Sequence, residues 1–197
     1  MEKKLLITGF DPFGGGNVNP SWEAVKLLPD CIGDYQLIKM EIPTVFGLAA
    51  QRVLEKDAEI NADVILCIGQ AGGREAVTPE RIGINIRSAR IADNAGNQPV
   101  EEPVIFGGPD GIFSTVPVAE MAQAIREAGL PGAVSNTAGA FVCNDTLYTL
   151  LHRYAGTAVR VGFIHVPYLP QQGTPNLSLE QIAQALHAAI SALCAIN

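Results

Sequence analysis

The sequence predicts an α/β fold, a single-domain three-layer α/β/α sandwich with a mostly parallel, twisted central sheet. Apolar segments of strand length alternate along the chain with helical patterns, the order typical of a parallel sheet that is covered by helices on both faces. The length of 197 residues, 48% of them hydrophobic, suits one large core and is short for two. We therefore expect residues 1–197 to form one domain.

Five segments have the β-branched and aliphatic content of strands: KLLITGF at the start, then YQLIKMEIP, ADVILCIG, GAVSNTA and AVRVGFIHVP. Weaker β patterns occur in RIGINIRSARI and GIFSTV. Ligands of open α/β sheets bind beyond the carboxyl ends of the strands. Residues that follow these segments are therefore candidates for a functional site.

Start and stop signals indicate the helices. Asn19 can cap NPSWEAVKLL, and the proline that follows it suits the first helical position. PVAEMAQAIREAG begins with a proline and ends at a glycine, and a further helical pattern runs from Asp145 through Tyr154. Near the carboxyl terminus, Ser178 and Gln181 form a capping box. The apolar stripe of that last helix consists of Leu179, Ile182, Leu186, Ile190 and Leu193.

The charge of the chain excludes several classes of partner. Twenty acidic and 13 basic residues give a formal net charge of -7, and no basic cluster occurs, so neither nucleic acid nor an anionic membrane is expected to bind. The first apolar run is interrupted by Thr8 and Gly9 and closed by Asp11, which makes it too short for a signal peptide. We expect a cytoplasmic protein, where thiols stay reduced.

The four cysteines show no CxxC spacing, and the three histidines form no metal motif. Neither a disulfide framework nor a zinc site is therefore expected, and nothing in the sequence calls for a cofactor. Cys67 lies in an apolar run and Cys194 in the closing helix, so we interpret both as small buried hydrophobic residues, whereas Cys31 falls in a predicted loop.

Cys143 differs from the other three cysteines. It follows the small-residue turn Ala138-Gly139-Ala140 and precedes a helical pattern, which predicts a position at a helix amino terminus. The helix dipole there favours negative charge, so we expect a lowered thiol pKa, and the free N–H groups can stabilise an oxyanion. Cys143 is thus a candidate nucleophile. The alternative is an inert cysteine buried in a tight turn.

A thiol nucleophile needs a base, and only three histidines are available. His152 comes nine residues after Cys143 on the same predicted helix, roughly 13 Å along its axis, and cannot reach the thiol. His187 lies beside the apolar stripe of the last helix, at its expected solvated border. His165 closes the strand segment VRVGFI and is the candidate base, although it could instead only bind a loop carbonyl.

The imidazole of such a pair is usually oriented by an acidic group. Glu80 is the candidate because it follows a predicted strand and the glycine-rich stretch GQAGG. Asp93, Asp145 and Glu101 are competitors, and an ion pair with Arg81 is the structural alternative for Glu80. Spacing alone does not choose among them.

Three separated segments carry a resemblance to a known family along nearly the whole chain. They are ITGFDPFGG with NPSW behind it, GQAGGREAVTPERIGINI, and SNTAGAFVCN followed by HVPYLP. The sequence resembles the pyroglutamyl peptidase I family of cysteine peptidases. It departs from the common family pattern at Asp11, where Glu is usual, at Gly83, where Ala is usual, and at Phe141, where Tyr is often seen.

The resemblance implies a single peptidase domain with a defined chemistry. It implies Cys143 as the nucleophile, His165 as the general base and then acid, and Glu80 as the residue that orients the imidazole. The implied reaction removes an amino-terminal pyroglutamyl residue from a peptide through a thioester acyl-enzyme. The resemblance also implies a homo-oligomer, either a dimer or a tetramer.

Pyroglutamate is a compact neutral lactam, so its pocket needs apolar walls and few charges. The residues that we expect to bind it are Phe10, Phe13, Asn19, Gln70, Phe141 and Val142, the last two through backbone groups. Core packing is the alternative for each phenylalanine, a bond within its own loop for Gln70, and helix capping alone for Asn19. The resemblance suggests Arg90 for the oxyanion environment, with a solvent-facing ion pair as the alternative.

Two other classes of function remain as alternatives. The loops GFDPFGGG and GQAGG could bind a nucleotide or sugar phosphate at the sheet edge, but they lack both GxGxxG and GxxxxGK[ST] and contain no lysine. A catalytically inactive relative could serve as a binding scaffold, but the presence of Cys143, His165 and Glu80 argues against it.

Overall fold

The computed structural model describes residues 3–196 of the chain. The strands are β1 (Lys3–Phe10), β2 (Cys31–Ile32), β3 (Tyr35–Ile42), β4 (Val64–Gln70), β5 (Thr78–Pro79), β6 (Ile82–Ile84), β7 (Gly111–Phe113) and β8 (Arg160–Val166). The helices are α1 (Pro20–Leu27), α2 (Leu48–Ile60), α3 (Val118–Glu127), α4 (Val142–Arg153) and α5 (Leu179–Ala195).

One six-stranded sheet in the order β2-β3-β1-β4-β8-β5 forms the centre of the fold. Its four inner strands are parallel, and the short edge strands β2 and β5 are antiparallel to their neighbours. Helices α1, α3 and α5 pack into one apolar core on one face of the sheet, and α2 and α4 into a second core on the other. The predicted α/β class, with three layers and a mostly parallel sheet, is confirmed.

The four long predicted strands are present as β1, β3, β4 and β8, but GAVSNTA does not form a strand. It makes only two isolated bridges, Gly132 with Val77 and Ser135 with Glu80. The reason is Pro79. Its carbonyl accepts a hydrogen bond from the Ser135 N–H, but it has no N–H to donate in return, so the hydrogen-bond ladder between this segment and residues 77–81 is interrupted at Pro79. The two weaker β patterns shrink to the three-residue strands β6 and β7, which pair with each other.

All four predicted helices are present, and the two predicted side-chain caps form. The helix predicted from Asp145 begins earlier, at Val142, and neither it nor α3 has a side-chain cap. Asn19 caps α1 through its side chain, and Ser178 and Gln181 make the reciprocal capping box of α5. Helix α2 was missed, because its amino-terminal cap is Gly47, which has no capping side chain, and because its buried face includes two alanines and an aspartate. A helix with no start signal and little apolar bulk leaves a weak pattern in the sequence.

The cysteine predictions are partly wrong. Cys67 is fully buried as expected, but Cys194 is only half-buried, and Cys31 lies exposed in β2 and not in a loop. All four thiols are free. None of the helices in the described range 3–196 is long and apolar enough to cross a membrane.

The parallel register brings the carboxyl ends of β1, β4 and β8 to one edge of the sheet, with Gly69 of β4 opposite His165 of β8. Gly9 allows α1 to begin directly against the end of β1, because a methyl group at this position would lie 2.4 Å from the Trp22 Cα atom. The first loop and α1 therefore close one side of this edge.

Replacing Gly9 by Ala should destabilise the protein, because the added methyl group meets helix backbone that cannot move without shifting α1. We expect the free energy of unfolding in urea to fall by about 1–3 kcal/mol, the usual cost of overpacking. Gly16→Ala is the matched control, because its methyl group would approach no atom closer than 3.2 Å. Equal stability of Gly9→Ala and the unmodified protein would contradict this packing argument.

Candidate active site

A cavity of about 300 Å³ opens at the carboxyl edge of β1, β4 and β8. Cys143 and His165 both line it, and so do six other residues that the sequence singled out: Phe10, Phe13, Asn19, Gln70, Arg90 and Phe141. They reach it from the ends of three strands, from the segment between β1 and α1, from the loop after β6 and from the start of α4. The fold thus brings together side chains that are up to 155 positions apart in the sequence.

Cys143 is the second residue of α4, as predicted for a helix amino terminus. No side chain caps this helix, so the N–H groups of its first turn have no helical partner. The residue retains partial solvent exposure, yet desolvation of the thiol, followed by the negative charge of Glu80, raises the Cys143 pKa to about 12. The expectation of a lowered thiol pKa is therefore wrong, because desolvation and the Glu80 charge outweigh the lowering by the Arg74 cation and the backbone N–H of Cys143.

His165 and Glu80 form a buried hydrogen-bonded pair. His165 Nδ1 lies 2.7 Å from Glu80 Oε1, and the two side chains are 4% and 0% exposed. Because a carboxylate only accepts hydrogen bonds, Nδ1 carries the proton and Nε2 is left as the basic nitrogen. Burial lowers the pKa of His165 below its ordinary value of 6.5, although the bond to Glu80 acts in the opposite direction.

Arg74 is the site residue that sequence reasoning missed. Its guanidinium donates to Glu80 Oε1 at 2.6 Å, to Thr78 Oγ1 at 2.6 Å and to the Thr137 carbonyl at 2.8 Å. The alternative partner Arg81 points elsewhere and binds the Asn136 side chain. The sequence feature that could have identified Arg74 is its position directly after the glycines of GQAGG, six residues before Glu80.

The other acidic candidates are engaged elsewhere. Asp93 accepts hydrogen bonds from the Phe46 amide and from N–H groups of its own loop. Asp145 is fully buried and pairs with Arg87, whereas Glu101 is exposed. Among the candidates, Glu80 alone contacts a histidine.

The remaining two histidines lie away from the cavity, as the sequence predicted. His152 is exposed on α4, where its ring stacks with that of Tyr148. His187 is exposed on α5. His165 is therefore the histidine that shares the cavity with Cys143.

Aromatic rings form the apolar walls of the cavity. The Phe13 and Phe141 rings lie 6.1 Å apart, and Phe46 meets Phe141 edge-on at 5.3 Å. Phe10 is buried against Phe163 at 6.2 Å. Of these rings, Phe10, Phe13 and Phe141 line the cavity, whose volume suits a small, flat, uncharged group.

The polar residues of the pocket differ in how many of their groups are free. Both polar groups of Asn19 are engaged, with Asp11 and with Ser21, so its hydrogen bonds serve the helix cap. Gln70 uses its carbonyl oxygen to accept from Gln172, and its NH₂ group has no partner within residues 3–196. This leaves one amide donor at the pocket wall.

Val142 and Arg90 occupy different surroundings from the other predicted residues. The Val142 side chain is fully buried in the core beneath α4, so only its backbone remains for a role at the cavity. The Arg90 side chain is exposed at the cavity wall, and it makes no hydrogen bond or ion pair with any residue in the described part of the chain. The ion-pair alternative for Arg90 is therefore not observed.

Within residues 3–196, no cluster of three or more His, Cys, Asp or Glu side chains is arranged to hold a metal ion. The cavity instead combines a thiol, an imidazole held by a carboxylate, and free N–H groups at a helix start. A nucleophile, its base and donors for a developing oxyanion are the components of acyl transfer.

Comparison with known proteins identifies the family of the chain. The family model described as pyroglutamyl peptidase matches residues 3–195. A pyrrolidone-carboxylate peptidase of Levilactobacillus brevis is 51% identical over 96% of this chain and 97% of its own length. One of Staphylococcus saprophyticus is 50% identical over 96% of this chain and 92% of its own.

Solved structures agree in fold over almost the entire chain. The crystal structure of pyroglutamyl peptidase I from Bacillus amyloliquefaciens superposes with a TM-score of 0.95 at 45% identity, covering 98% of both chains. A mutant pyrrolidone carboxyl peptidase from Pyrococcus furiosus gives 0.92 at 37% identity, covering 98% of this chain and 99% of its own. The chain therefore belongs to the pyroglutamyl peptidase family of cysteine peptidases.

Proposed function

We propose that this chain is a cysteine exopeptidase that hydrolyses the amide bond after an amino-terminal pyroglutamyl, or 5-oxoprolyl, residue of peptides, with residues 1–197 as a single peptidase domain. The observation that carries the proposal is the buried bond between Glu80 and His165 beside a cavity that also holds Cys143 at the start of α4. The names of the relatives supply the substrate class.

In the proposed mechanism, His165 Nε2 takes the proton of the Cys143 thiol as the sulfur attacks the carbonyl carbon of the pyroglutamyl residue. The carbonyl electron pair moves onto oxygen, and N–H groups of the first turn of α4 stabilise this oxyanion. When the intermediate collapses, the imidazolium of His165 gives its proton to the leaving amine, and a thioester remains on Cys143. Glu80 stabilises the imidazolium and holds its tautomer.

Hydrolysis of the thioester repeats these steps with water. His165 accepts a proton from water as the oxygen attacks the thioester carbonyl, and the oxyanion forms at the same N–H groups. Collapse of this intermediate breaks the C–S bond and returns the proton to sulfur. Free pyroglutamate leaves, and both Cys143 and His165 regain their neutral starting forms.

The pKa directions determine how the first proton moves. The Cys143 pKa is raised to about 12 and the His165 pKa is lowered, so both groups rest in their neutral forms at pH 7. A thiolate and imidazolium pair is disfavoured before substrate binds. Proton transfer is therefore coupled to the attack on the carbonyl, as in general-base catalysis.

Recognition of the lactam uses the walls of the cavity. Phe10, Phe13 and Phe141 cover the flat faces of the ring, and the free NH₂ group of Gln70 donates to the ring carbonyl. A prolyl residue lacks that carbonyl and would leave the donor unpaired, a penalty of about 1–3 kcal/mol. Asn19 contributes to the wall of the pocket through its position at the cap of α1.

The oxyanion environment includes two further contributions in this proposal. The backbone N–H of Val142 belongs to the uncapped first turn of α4. The Arg90 guanidinium lines the cavity and has no partner among residues 3–196, which supports a role for its positive charge in stabilising the oxyanion.

The association of chains and the cellular location are inferred from the surface and the composition of the chain. The exposed apolar side chains of Val100, Phe106 and Phe113 support association of chains into a dimer or tetramer. Four free thiols suit a cytoplasmic location. The acidic net charge of -7 gives no surface for nucleic acid.

Replacing Cys143 by Ser should lower kcat for release of a chromophore from a pyroglutamyl amide by more than about a thousandfold, because the nucleophile is lost. Cys194→Ser is the control and should retain full activity, since Cys194 lies on α5, outside the residues that line the cavity. The matching prolyl amide should be a poor substrate for the unmodified enzyme. Substantial turnover by Cys143→Ser would refute the assignment of the nucleophile.

The resting state of Cys143 can be measured directly from thiolate absorbance at 240 nm. Because burial raises the pKa to about 12, the thiol stays protonated well above neutral pH. The difference spectrum between the unmodified enzyme and Cys143→Ser should therefore show no thiolate between pH 6 and about pH 9. A thiolate signal at pH 7 that disappears in Cys143→Ser would show a preformed ion pair instead.

A further inference from the structure

Arg74 connects the two segments that carry the chemistry. It lies in the loop between β4 and β5, and one nitrogen of its guanidinium, Nη1, donates to both Glu80 and Thr78. The other, Nη2, donates to the carbonyl of Thr137, in the segment that leads into α4 and Cys143. A single side chain thus joins the carboxylate to the chain just before the nucleophile.

The carboxylate of Glu80 depends on few contacts. Its side chain is fully buried, and Oε1 receives both the Arg74 donor and His165 Nδ1. Oε2 has no hydrogen-bond partner in the described part of the chain. A buried carboxylate needs such partners to remain ionised and fixed in position.

The backbone of Glu80 is held independently of Arg74. Its N–H donates to the Phe163 carbonyl at 2.9 Å, and its own carbonyl accepts from the Ser114 hydroxyl at 2.6 Å. Loss of the Arg74 side chain would therefore leave the main chain of Glu80 in place. Loss of the Arg74 side chain would change the orientation of the Glu80 carboxylate and remove the positive charge beside it.

We propose that Arg74 is a positioning residue for the hydrolysis. Its guanidinium fixes the Glu80 carboxylate in the orientation that binds His165, and it holds the carboxylate at a fixed position relative to the segment that carries Cys143. This inference rests on the proposed function. Arg74 acts through Glu80, so it is distinct from the residues that exchange protons or bonds with the substrate.

The charges around His165 give this role a measurable consequence. The groups that face the imidazole are Glu80 after β5, Arg74 in the preceding loop, and the Cys143 thiol on α4. The Arg74 cation lowers the pKa of His165, whereas Glu80 raises it. Removing the cation should therefore raise the pKa of His165, so that the imidazole becomes protonated, and inactive as a base, at a higher pH.

The experiment compares Arg74→Gln and Arg74→Lys with the control Arg81→Gln. The control removes a neighbouring arginine that binds Asn136 and does not contact Glu80. The readout is kcat and kcat/KM for a pyroglutamyl amide from pH 5 to pH 9. Arg74→Gln should lower kcat at least about tenfold and move the acid limb of kcat/KM to higher pH, because both orientation and charge are lost.

Arg74→Lys keeps the charge but cannot bind Glu80 and Thr137 through a planar fork. It should therefore hold the acid limb near its original pH while kcat falls to an intermediate value. If Arg74 only stabilised the fold, Arg74→Gln would lower the free energy of unfolding without moving the pH profile of kcat/KM. A pH profile and kcat for Arg74→Gln equal to those of the control would overturn the proposal.

A second readout separates this inference from the proposed function. If the unmodified enzyme fails to hydrolyse pyroglutamyl amides, the proposed function fails, and the positioning role is then tested by NMR titration of the His165 imidazole. A higher His165 pKa in Arg74→Gln than in Arg81→Gln supports the positioning role. Equal values in the two variants refute it. If Arg74→Gln does not fold, Arg74→Met is titrated in its place, because it keeps most of the side-chain length but removes the charge and the hydrogen bonds to Glu80.

Discussion

The buried hydrogen bond between Glu80 and His165 is the interaction on which the rest of the site depends. A carboxylate without solvent is costly unless donors surround it, so β5, β8 and the loop that carries Arg74 must meet at one point. The same junction has no room for an extra side chain on β4. A methyl group on Gly69 would lie 2.9 Å from the Cys143 sulfur and 2.8 Å from the Phe163 ring. The sheet register, the glycine and the carboxylate are therefore parts of one packing arrangement.

The thiol shows how burial and local dipoles compete. A helix amino terminus stabilises a negative charge by at most about 2 kcal/mol. Raising the Cys143 pKa from its ordinary 9.0 to about 12 corresponds to roughly 4 kcal/mol against the thiolate. Desolvation therefore dominates at rest, and the first turn of α4 acts on the oxyanion that forms during the reaction. A neutral thiol beside a neutral imidazole also suits an uncharged substrate ring, because neither brings charge into the apolar pocket.

Much of this arrangement could be predicted from short-range signals. Asn19 and the capping box at Ser178 are local patterns, and both caps form. Helix α2 was not predicted because Gly47 offers no capping side chain. The segment after Pro131 does not form the predicted strand because Pro79 has no N–H to donate a hydrogen bond to it. The sequence could not identify Arg74, and not Arg81, as the arginine that binds Glu80, because it does not show that the loop between β4 and β5 folds over the Glu80 carboxylate. Arg74 lies only six positions before Glu80, but its approach to the carboxylate depends on how the loop packs, which no local pattern shows.

The most direct test of the account is the tautomer of His165, measured from the ¹⁵N chemical shifts of its imidazole at pH 7 in the folded enzyme. The bond to Glu80 requires the proton on Nδ1 and leaves Nε2 unprotonated to act as the base. The account predicts a neutral ring with the proton on Nδ1, and Glu80→Leu, which removes the acceptor, should shift the proton toward Nε2. A ring protonated on Nε2 alone in the unmodified enzyme, or a tautomer unaffected by Glu80→Leu, would contradict the account.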